Sequence, residues 1–214
     1  MNFDITVLTA NWPLFAWGLA QTLCVCLVAI PCGFAVGTVL TLGARLGGGA
    51  LQWITRVYVE VVRNVPFVLQ VLLLYFALPA IGIRMGAQSA GITALVCYTA
   101  AYSSEILRGA LAAIPAGQTE AASALGLGEV QSFRHVLIPQ TRRYIVPAMG
   151  NLAITLVKES AVLSVISVRE LTYVSQDIIG RTFAPVEVFT ALALLYWTLT
   201  ALLSAAFASS EKLR

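Results

Sequence analysis

The sequence predicts an all-α integral membrane protein with about five transmembrane helices. Hydrophobic residues make up 59% of the 214 residues and charged residues only 11%, whereas a typical soluble domain has about 25% charged residues. The mean hydropathy is +0.86. Apolar stretches of about 20 residues, the length that a helix needs to cross a bilayer, recur along the chain. We therefore expect the chain to be built from membrane spans.

The first predicted span covers residues 14–42 and lies within a longer uncharged stretch. We expect Trp12 and Pro13 to lie at a membrane interface before it, and Pro31 and Gly33 to kink it. A cleaved signal peptide is not expected, because no basic region precedes the apolar run and the run far exceeds the usual length of about 7–15 residues.

Four further stretches have the length of a span, namely residues 57–78, 87–107, 144–168 and 188–208. Only the fourth of the five spans, residues 144–168, carries charges well inside it, at Lys158 and Glu159. No internal repeat, low-complexity tract or second domain is visible. We therefore predict a single transmembrane domain over residues 1–214.

Loop charges predict the orientation of the spans, because cytoplasmic loops carry an excess of Lys and Arg. With the N-terminus outside, the cytoplasmic segments hold eight basic residues: Arg45, Arg56, Arg108, Arg134, Arg142, Arg143, Lys212 and Arg214. The external segments hold three, Arg84, Arg169 and Arg181. We predict an external N-terminus and a cytoplasmic C-terminus.

Charge and cysteine usage exclude two other kinds of site. The net charge is only +3 and the basic residues are scattered, which argues against a nucleic-acid partner. The cysteines, Cys24, Cys26, Cys32 and Cys97, lie in apolar runs with no histidine nearby to complete a zinc site. We interpret them as small apolar residues and the only histidine, His135, as solvated, and we expect no metal site.

The longest cytoplasmic segment, residues 109–143, lies between the third and fourth predicted spans. Its Ala-rich part predicts a short helix over residues 118–125, and Gly126 is typical of a helix end. A second short helix is predicted over residues 129–137, ending at Pro139. We expect a helix, a glycine turn and a second helix lying at the membrane surface.

This segment resembles the cytoplasmic signature of ABC importer permeases. The signature consists of Glu-Ala-Ala, three residues, Gly, nine residues, and Ile-x-Leu-Pro. Here it is present as Glu120-Ala121-Ala122, Gly126 and Val136-Leu137-Ile138-Pro139, with the spacing intact. Val and Ile replace the Ile and Leu of the signature, and both changes keep the positions apolar.

Segments outside the signature resemble the polar-amino-acid branch of these permeases, so that the resemblance covers nearly the whole chain. They are residues 58–66, 101–109, 114–118 and 156–166. The branch usually has Asp at the position of Glu159.

The resemblance implies the type I ABC importer permease fold in the bacterial inner membrane, with the loop as a coupling helix. Two permease subunits, identical or paralogous, would form the translocation path and would receive solute from an extracytoplasmic binding protein. The loop would dock on the subunits of an ATPase dimer through Glu120, Ala121, Ala122, Leu125, Gly126 and Pro139. Because this sequence has no Gly-x4-Gly-Lys-Ser/Thr phosphate loop, we expect ATP and Mg on a partner chain, and neither a cofactor nor a catalytic residue here.

Ionisable residues within predicted spans are candidates for the translocation path or a gate, because such groups are costly in a membrane. Glu60 and Arg63 are three residues apart and share a helix face, as do Glu105 and Arg108. If the second and third spans pack together, Arg63 can pair with Glu105.

Lys158 and Glu159 point about 100° apart on a helix. One of them can therefore line the path while the other pairs structurally or across the subunit interface. The candidate path residues are Glu159, Lys158, Ser160, Glu60, Arg63 and Glu105.

The function predicted is import of polar amino acids or related small zwitterions. One alternative is a permease for another solute, such as an opine or an osmolyte. An ion-coupled carrier or channel is a distant alternative, since five spans without an inverted repeat fit that class poorly. An intramembrane hydrolase is excluded, because the chain lacks His-Glu-x-x-His and Gly-x-Ser-x-Gly.

Overall fold

The computed structural model describes residues 3–212, and this part of the chain is helical and contains no strand. The predicted all-α fold is therefore confirmed. Its α-helices are α1 (Ile5–Leu46), α2 (Gly48–Asn64), α3 (Phe67–Leu72), α4 (Ala87–Ala112), α5 (Ala116–Ala124), α6 (Glu129–Ser132), α7 (Ile138–Glu159), α8 (Leu171–Thr182) and α9 (Pro185–Lys212). Arg214, one of the basic residues used to predict the orientation, lies outside the described residues.

Helix α1 is longer than the predicted span and runs unbroken through Pro13 and Pro31. It begins where Asp4 caps it, accepting a hydrogen bond from the backbone N–H of Thr6 at 2.9 Å and another from the Thr6 hydroxyl at 2.6 Å. These hydrogen bonds, the one from the hydroxyl above all, lower the pKa of the Asp4 carboxyl. Trp12 and Pro13 therefore lie inside the helix and not before it.

The second predicted span, residues 57–78, is not one helix. Helix α2 meets the helical segment Phe67–Ile81, which begins with α3, at a bend of 110°. Pro66 has no N–H and disfavours a helical Val65, which is extended with φ −93° and ψ 130°. The side-chain amide of Gln70 donates to the carbonyls of Val62 and Val65, each at 2.8 Å. Carbonyls at the break are thus satisfied inside the protein, as membrane depth requires.

Helix α4 is the centre of the bundle and packs closely against α1. A Cβ atom on Gly33 would lie 2.4 Å from the Thr99 Cβ atom, and one on Gly37 would lie 2.1 Å from the Ser103 hydroxyl oxygen. The two backbones therefore approach through small residues, as membrane helices commonly do.

The two larger apolar cores hold α3, α7, α8 and α9 to this pair. Side chains of α1, α3, α4 and α7 form the larger core, and those of α1, α8 and α9 form the smaller one. Phe15 of α1 and Leu171 of α8 are almost completely buried in the smaller core. Helix α1 therefore takes part in both cores and joins them.

Among the residues that the structure describes, three helices are long and apolar enough to cross a membrane, residues 5–46, 130–166 and 185–209. The bent pair of α2 with the segment Phe67–Ile81 makes a fourth if it counts as one span. Helix α4 has 26 residues, about 39 Å at 1.5 Å per residue, and is therefore long enough to cross a membrane. It is not among the three apolar spans because its residues are too polar. Most of its buried residues are small or carry hydroxyls, and a helix in the centre of a bundle contacts little lipid. The count of five spans stays a prediction.

Pro139 does not end the second loop helix, contrary to the prediction. A π-helical turn over Phe133–Leu137 joins α6 to α7, and the N–H of Ile138 bonds to the carbonyl of Phe133, five residues back. Pro139 follows at the start of α7, where a proline is tolerated because its φ suits a helix. One helical rod therefore extends from the loop into the bundle.

Gly37→Ala should destabilise the protein, because the added methyl group overlaps Ser103 in the α1–α4 contact. We expect the free energy of unfolding to fall by about 1–3 kcal/mol, measured by thermal unfolding in detergent. Gly180→Ala is the matched control, since nothing lies within 4 Å of its added Cβ atom. A Gly37→Ala protein as stable as the Gly180→Ala protein would contradict the close packing.

Candidate functional site

The bend between α2 and α3 opens a pocket of about 300 Å³. It is lined by Val62, Arg63, Asn64, Val65, Pro66, Phe67, Tyr98, Tyr102 and Glu159, and we call it the bend pocket. The rings of Tyr98 and Tyr102 stack with their centroids 4.4 Å apart, and the guanidinium of Arg63 lies 5.6 Å from the centre of the Tyr102 ring. The pocket thus combines an aromatic wall with one acid and one base.

Glu159 lies at the end of α7 and is half-buried at the bend pocket. Among the side chains that the structure describes, no Lys or Arg nitrogen lies within 4.0 Å of its carboxylate. Its neighbours in sequence point elsewhere: Lys158 is exposed, and the buried Ser160 hydroxyl donates to the carbonyl of Val157 at 2.8 Å. Of these three candidate residues, only Glu159 lines the pocket.

A second cavity, of about 760 Å³, lies beside the first at the ends of α1 and α4 and along α2. We call it the vestibule. Its charged lining residues are Arg45, Arg56, Arg63, Arg108, Glu60 and Glu105, and the remaining lining residues are uncharged. With four arginines against two glutamates, it carries an excess of two positive charges. The buried hydroxyl of Thr55 lines it as well and has no hydrogen-bond partner among the residues described.

Arg63 lines both cavities. Its contact with Glu105 agrees with the predicted packing of the second and third spans. Its guanidinium lies 3.6 Å from the Glu105 carboxylate, which accepts a closer hydrogen bond of 2.9 Å from the Nε atom of Arg108. Glu60 pairs with Arg56, one turn earlier on α2, at 2.9 Å. The ion pairs of α2 and α4 therefore gather around the vestibule, and Arg63 is part of the lining of the bend pocket as well.

The predicted loop helix is present as α5, which ends two residues before Gly126, and Gly126 has φ +75°. The N–H of Leu127 bonds to the carbonyl of Ala122 at 3.1 Å, and the N–H of Gly126 to that of Ser123 at 3.0 Å. These two bonds define a Schellman end, which favours glycine at the left-handed position. No described atom lies within 4 Å of a Cβ atom built on Gly126, so the backbone conformation is what selects the glycine.

Most of α5 is exposed. Glu120 and Ala121 face outward while Ala122 is buried, and the side chain of Leu125 is 81% exposed. Pro139 is exposed as well. Of the six predicted docking residues, only Ala122 therefore packs inward.

Two contacts hold the loop region to the bundle, one from α5 and one from the π-helical turn. The Gln140 amide at the start of α7 donates to Gln118 at 2.9 Å. The Arg45 guanidinium lies over the Phe133 ring, 5.2 Å from its centroid. His135 is exposed, as predicted.

Sequence reasoning missed several residues of these sites. Asn64, Tyr98 and Tyr102 line the bend pocket, and the polar Asn64 two residues before Pro66 was the signal for a break in the span. Glu170 is fully buried and caps α8, accepting from the N–H groups of Thr172 and Tyr173 at 2.9 and 2.8 Å.

The Glu170 carboxylate also accepts from the Tyr196 hydroxyl of α9 at 3.0 Å. This contact ties α8 to α9. Because Glu is not among the favoured cap residues, no sequence pattern pointed to it.

Comparisons with known proteins give one consistent result. Residues 29–212 match the family described as binding-protein-dependent transport system inner membrane component. The chain is 33% identical to the glutamine transport system permease protein GlnP of Escherichia coli (strain K12) over 206 residues, covering 95% of this chain and 94% of that protein. It is 34% identical to the octopine transport system permease protein OccM of Rhizobium meliloti, covering 93% and 88%. Its fold is similar to a chain in the crystal structure of an amino acid ABC transporter with histidines, with a TM-score of 0.95, 33% identity and 100% of both chains covered.

Glu105 should be coupled more strongly to Arg108 than to Arg63, because Arg108 makes the shorter contact. All three side chains are partly exposed, so we expect a coupling of about 0.5–1 kcal/mol for Glu105–Arg108 and less for Glu105–Arg63. Double-mutant cycles of thermal stability with Glu105→Gln, Arg108→Gln and Arg63→Gln measure both. A larger coupling to Arg63 would contradict the assignment.

Proposed function

The chain belongs to the family of binding-protein-dependent transport system inner membrane components, and from this we propose that it is the permease through which an ATP-binding-cassette importer moves polar amino acids or related small zwitterions into the cytoplasm. Membership confirms the family predicted from the loop signature, and the fold agrees with the transporter chain it matches. The observation that carries the proposed substrate class is the bend pocket, where Glu159 and Arg63 line one cavity.

The bend pocket fits the two charges that every free α-amino acid carries. Glu159 has no ion-pair partner within the described residues and is free to take an ammonium group. The 3.6 Å contact of Arg63 with Glu105 is longer than a hydrogen bond of about 2.7–3.2 Å, so its guanidinium keeps donors for a carboxylate. The volume of about 300 Å³ is at the lower end of the range for small-molecule sites.

The vestibule is the proposed route from the bend pocket to the cytoplasm, with Arg63 and Glu105 as a gate between the two cavities. Both residues line the vestibule, and Arg63 also lines the pocket. Breaking the long Arg63–Glu105 contact leaves Glu105 held by Arg108, so the gate opens without leaving a carboxylate unpaired. Glu60, paired with Arg56, belongs to the wall of this route and not to the gate.

Helix α5 is the proposed docking surface for a separate ATPase subunit, which would hold the ATP and Mg and carry out the hydrolysis. The exposed Leu125, together with Glu120 and Ala121, offers an apolar anchor with a neighbouring negative charge. Ala122 and the Gln118–Gln140 contact attach the other side of α5 to the bundle. The chain itself is then a non-catalytic subunit.

The other proposed partners are a second permease subunit and an extracytoplasmic binding protein. We place the chain in a bacterial inner membrane with its N-terminus outside. Helix α1 supports this orientation. Its 42 residues span about 63 Å, and its last turn contacts the loop region through Arg45 and Phe133. The start of the chain therefore lies at the opposite end of the bundle from α5.

An opine is the second candidate substrate, favoured by the similarity to the octopine permease OccM. Stimulation of ATP hydrolysis in the reconstituted transporter distinguishes the two classes. Polar amino acids with their binding protein should stimulate it, and stimulation by octopine alone would favour the alternative.

Glu159→Gln should lower amino acid uptake at least tenfold, because it removes the charge proposed to hold the substrate ammonium. Uptake of a labelled amino acid into cells or proteoliposomes measures this, with the membrane level of the chain determined in parallel. Glu159→Asp is the matched control, since it keeps the charge, and it should retain most of the uptake. Equal uptake by the wild-type and Glu159→Gln proteins would contradict the role of Glu159.

Gly126→Val and Glu120→Lys should each reduce co-purification of the ATPase with the permease at least fivefold. The first strains the backbone at φ +75°, and the second reverses the exposed charge. Gly126→Asn is the control, because Asn tolerates the left-handed conformation, and it should retain the ATPase. Normal recovery of the ATPase with both variants would contradict docking through α5.

A further inference from the structure

Helix α2 has one polar face, and that face lines the vestibule. Its lining residues recur every three or four positions, which places them on one side of the helix: Gln52, Thr55, Arg56, Val59, Glu60 and Arg63. Another face of α2 is apolar and exposed, and it includes Trp53, Ile54, Val57 and Val61. Tryptophan is enriched where a membrane meets water. The start of α2 therefore lies near the depth of the lipid headgroups, with its polar face turned to the vestibule.

Arginines from three helices line the vestibule. Arg45 of α1 and Arg108 of α4 each follow by one turn the pair Thr41 and Ser104, whose hydroxyl oxygens are 3.0 Å apart. The two arginines are therefore neighbours at the same level of the bundle. Arg56 of α2 contributes a third guanidinium to the same cavity. All three arginines are exposed, so a group that enters the vestibule can reach them.

The carboxylates of the vestibule leave much of this positive charge unbalanced. Glu60 accepts from the Nε atom of Arg56 at 2.9 Å, and Glu105 accepts from Arg108. A guanidinium has five N–H donors, so both arginines keep donors after these bonds. Among the side chains that the structure describes, no carboxylate lies within 4.0 Å of Arg45. An anion in the vestibule would balance the excess charge.

A buried donor without a partner lies directly beside Arg56. Thr55 lines the vestibule and is only 6% exposed, and its hydroxyl has no hydrogen-bond partner among the described residues. Thr38, Thr41 and Thr99, by contrast, each donate to the carbonyl four residues back in their helix. Buried hydroxyls normally have a partner. We therefore expect a group held in the vestibule to offer an acceptor oxygen to Thr55.

We propose that Arg45, Thr55, Arg56 and Arg108 form a binding site for a phosphate group. Guanidinium groups bind phosphate oxygens through paired N–H donors. The three arginines belong to three different helices, and a tetrahedral phosphate offers oxygens in several directions, whereas a carboxylate offers only two. The headgroup of an anionic phospholipid and free inorganic phosphate share this chemistry. The proposal rests on the proposed function only in that the vestibule faces the cytoplasm.

Two probes test the site on the complete transporter, purified in detergent without ATP. Native mass spectrometry counts the phosphatidylglycerol molecules that stay bound, and equilibrium dialysis measures the binding of radiolabelled inorganic phosphate. Saturable binding of phosphatidylglycerol alone identifies a lipid headgroup as the natural occupant, and saturable binding of phosphate alone identifies a free anion. The proposal is overturned if neither probe binds saturably.

Variants assign the binding to the vestibule. Arg45→Gln should bind the probe at least fivefold more weakly, because it removes the arginine without a neighbouring carboxylate. Arg84→Gln, at an exposed arginine outside the vestibule, is the matched control and should stay within about twofold of the wild-type protein. Phosphate held by the ATPase is the same in both complexes, so the difference between them reports the vestibule. Equal binding by the Arg45→Gln and Arg84→Gln proteins would overturn the site.

Thr55→Val separates a ligand contact from a structural role of the hydroxyl. The substitution keeps the shape of the side chain and removes no hydrogen bond of the described structure, so without a probe the unfolding temperature should not fall. Affinity for the probe should fall about threefold, because the hydroxyl can no longer donate to the anion. Wild-type affinity in this variant would exclude Thr55 from the site.

The binding assay is independent of transport. It uses neither an amino acid nor the extracytoplasmic binding protein, and Glu159 is not among the residues that line the vestibule. A Glu159→Gln transporter should therefore bind the probe with wild-type affinity even where its uptake is lost. Loss of probe binding in that variant would contradict a separate phosphate site.

Discussion

The break between α2 and α3 lies at Pro66, which has no backbone N–H and disfavours a helical conformation of Val65 before it, and Val65 is extended. In a membrane such a break is tolerated only where the freed carbonyls find partners inside the protein, and the Gln70 side chain supplies them. The resulting bend of 110° turns α3 away from the axis of α2 and leaves the space that Glu159 and the two stacked tyrosines line. The bend also explains why Arg63 faces both cavities. Without the break, α2 would continue as a plain span and close the bend pocket.

The contact between α1 and α4 gives this bend a fixed frame. Gly33 and Gly37 bring the two backbones together, so that other helices and not lipid surround α4. For this reason α4 can contain few large apolar residues and still lie in the membrane. The tyrosines and Glu105 that α4 contributes to the cavities are thereby held at fixed depth. Polar residues at a membrane site depend in this way on a frame built from the smallest residues of the sequence.

The sequence predicted those features that depend on neighbours along the chain or on charge. It predicted the α5 helix, the glycine turn at Gly126 and the pairing of Arg63 with Glu105, since each follows from local propensity or from the cost of an isolated charge. It did not predict the bend at Pro66, because the residues on both sides of Pro66 are apolar and together have the pattern of one span. It also did not predict the continuation of the helix through Pro139. The Glu170 cap also escaped prediction, because its partner Tyr196 lies 26 residues away on α9 and no local pattern encodes that contact. Long-range hydrogen bonds and helix breaks inside apolar runs therefore require the structure.

The continuous rod from α6 to the end of α7 has a mechanical consequence. About 30 residues separate Val130, beside the exposed loop, from Glu159 in the bend pocket, which corresponds to about 44 Å of helix. A tilt of about 5° at the loop end would displace Glu159 by about 4 Å if the rod stays rigid, more than the length of a hydrogen bond. In the described part of this rod, from α6 to Glu159, the backbone leaves the regular α-helical hydrogen-bond pattern at one place, the π-helical turn before Pro139. A small change in the helix direction at that turn would therefore shift the position of the Glu159 carboxylate at the far end of the rod.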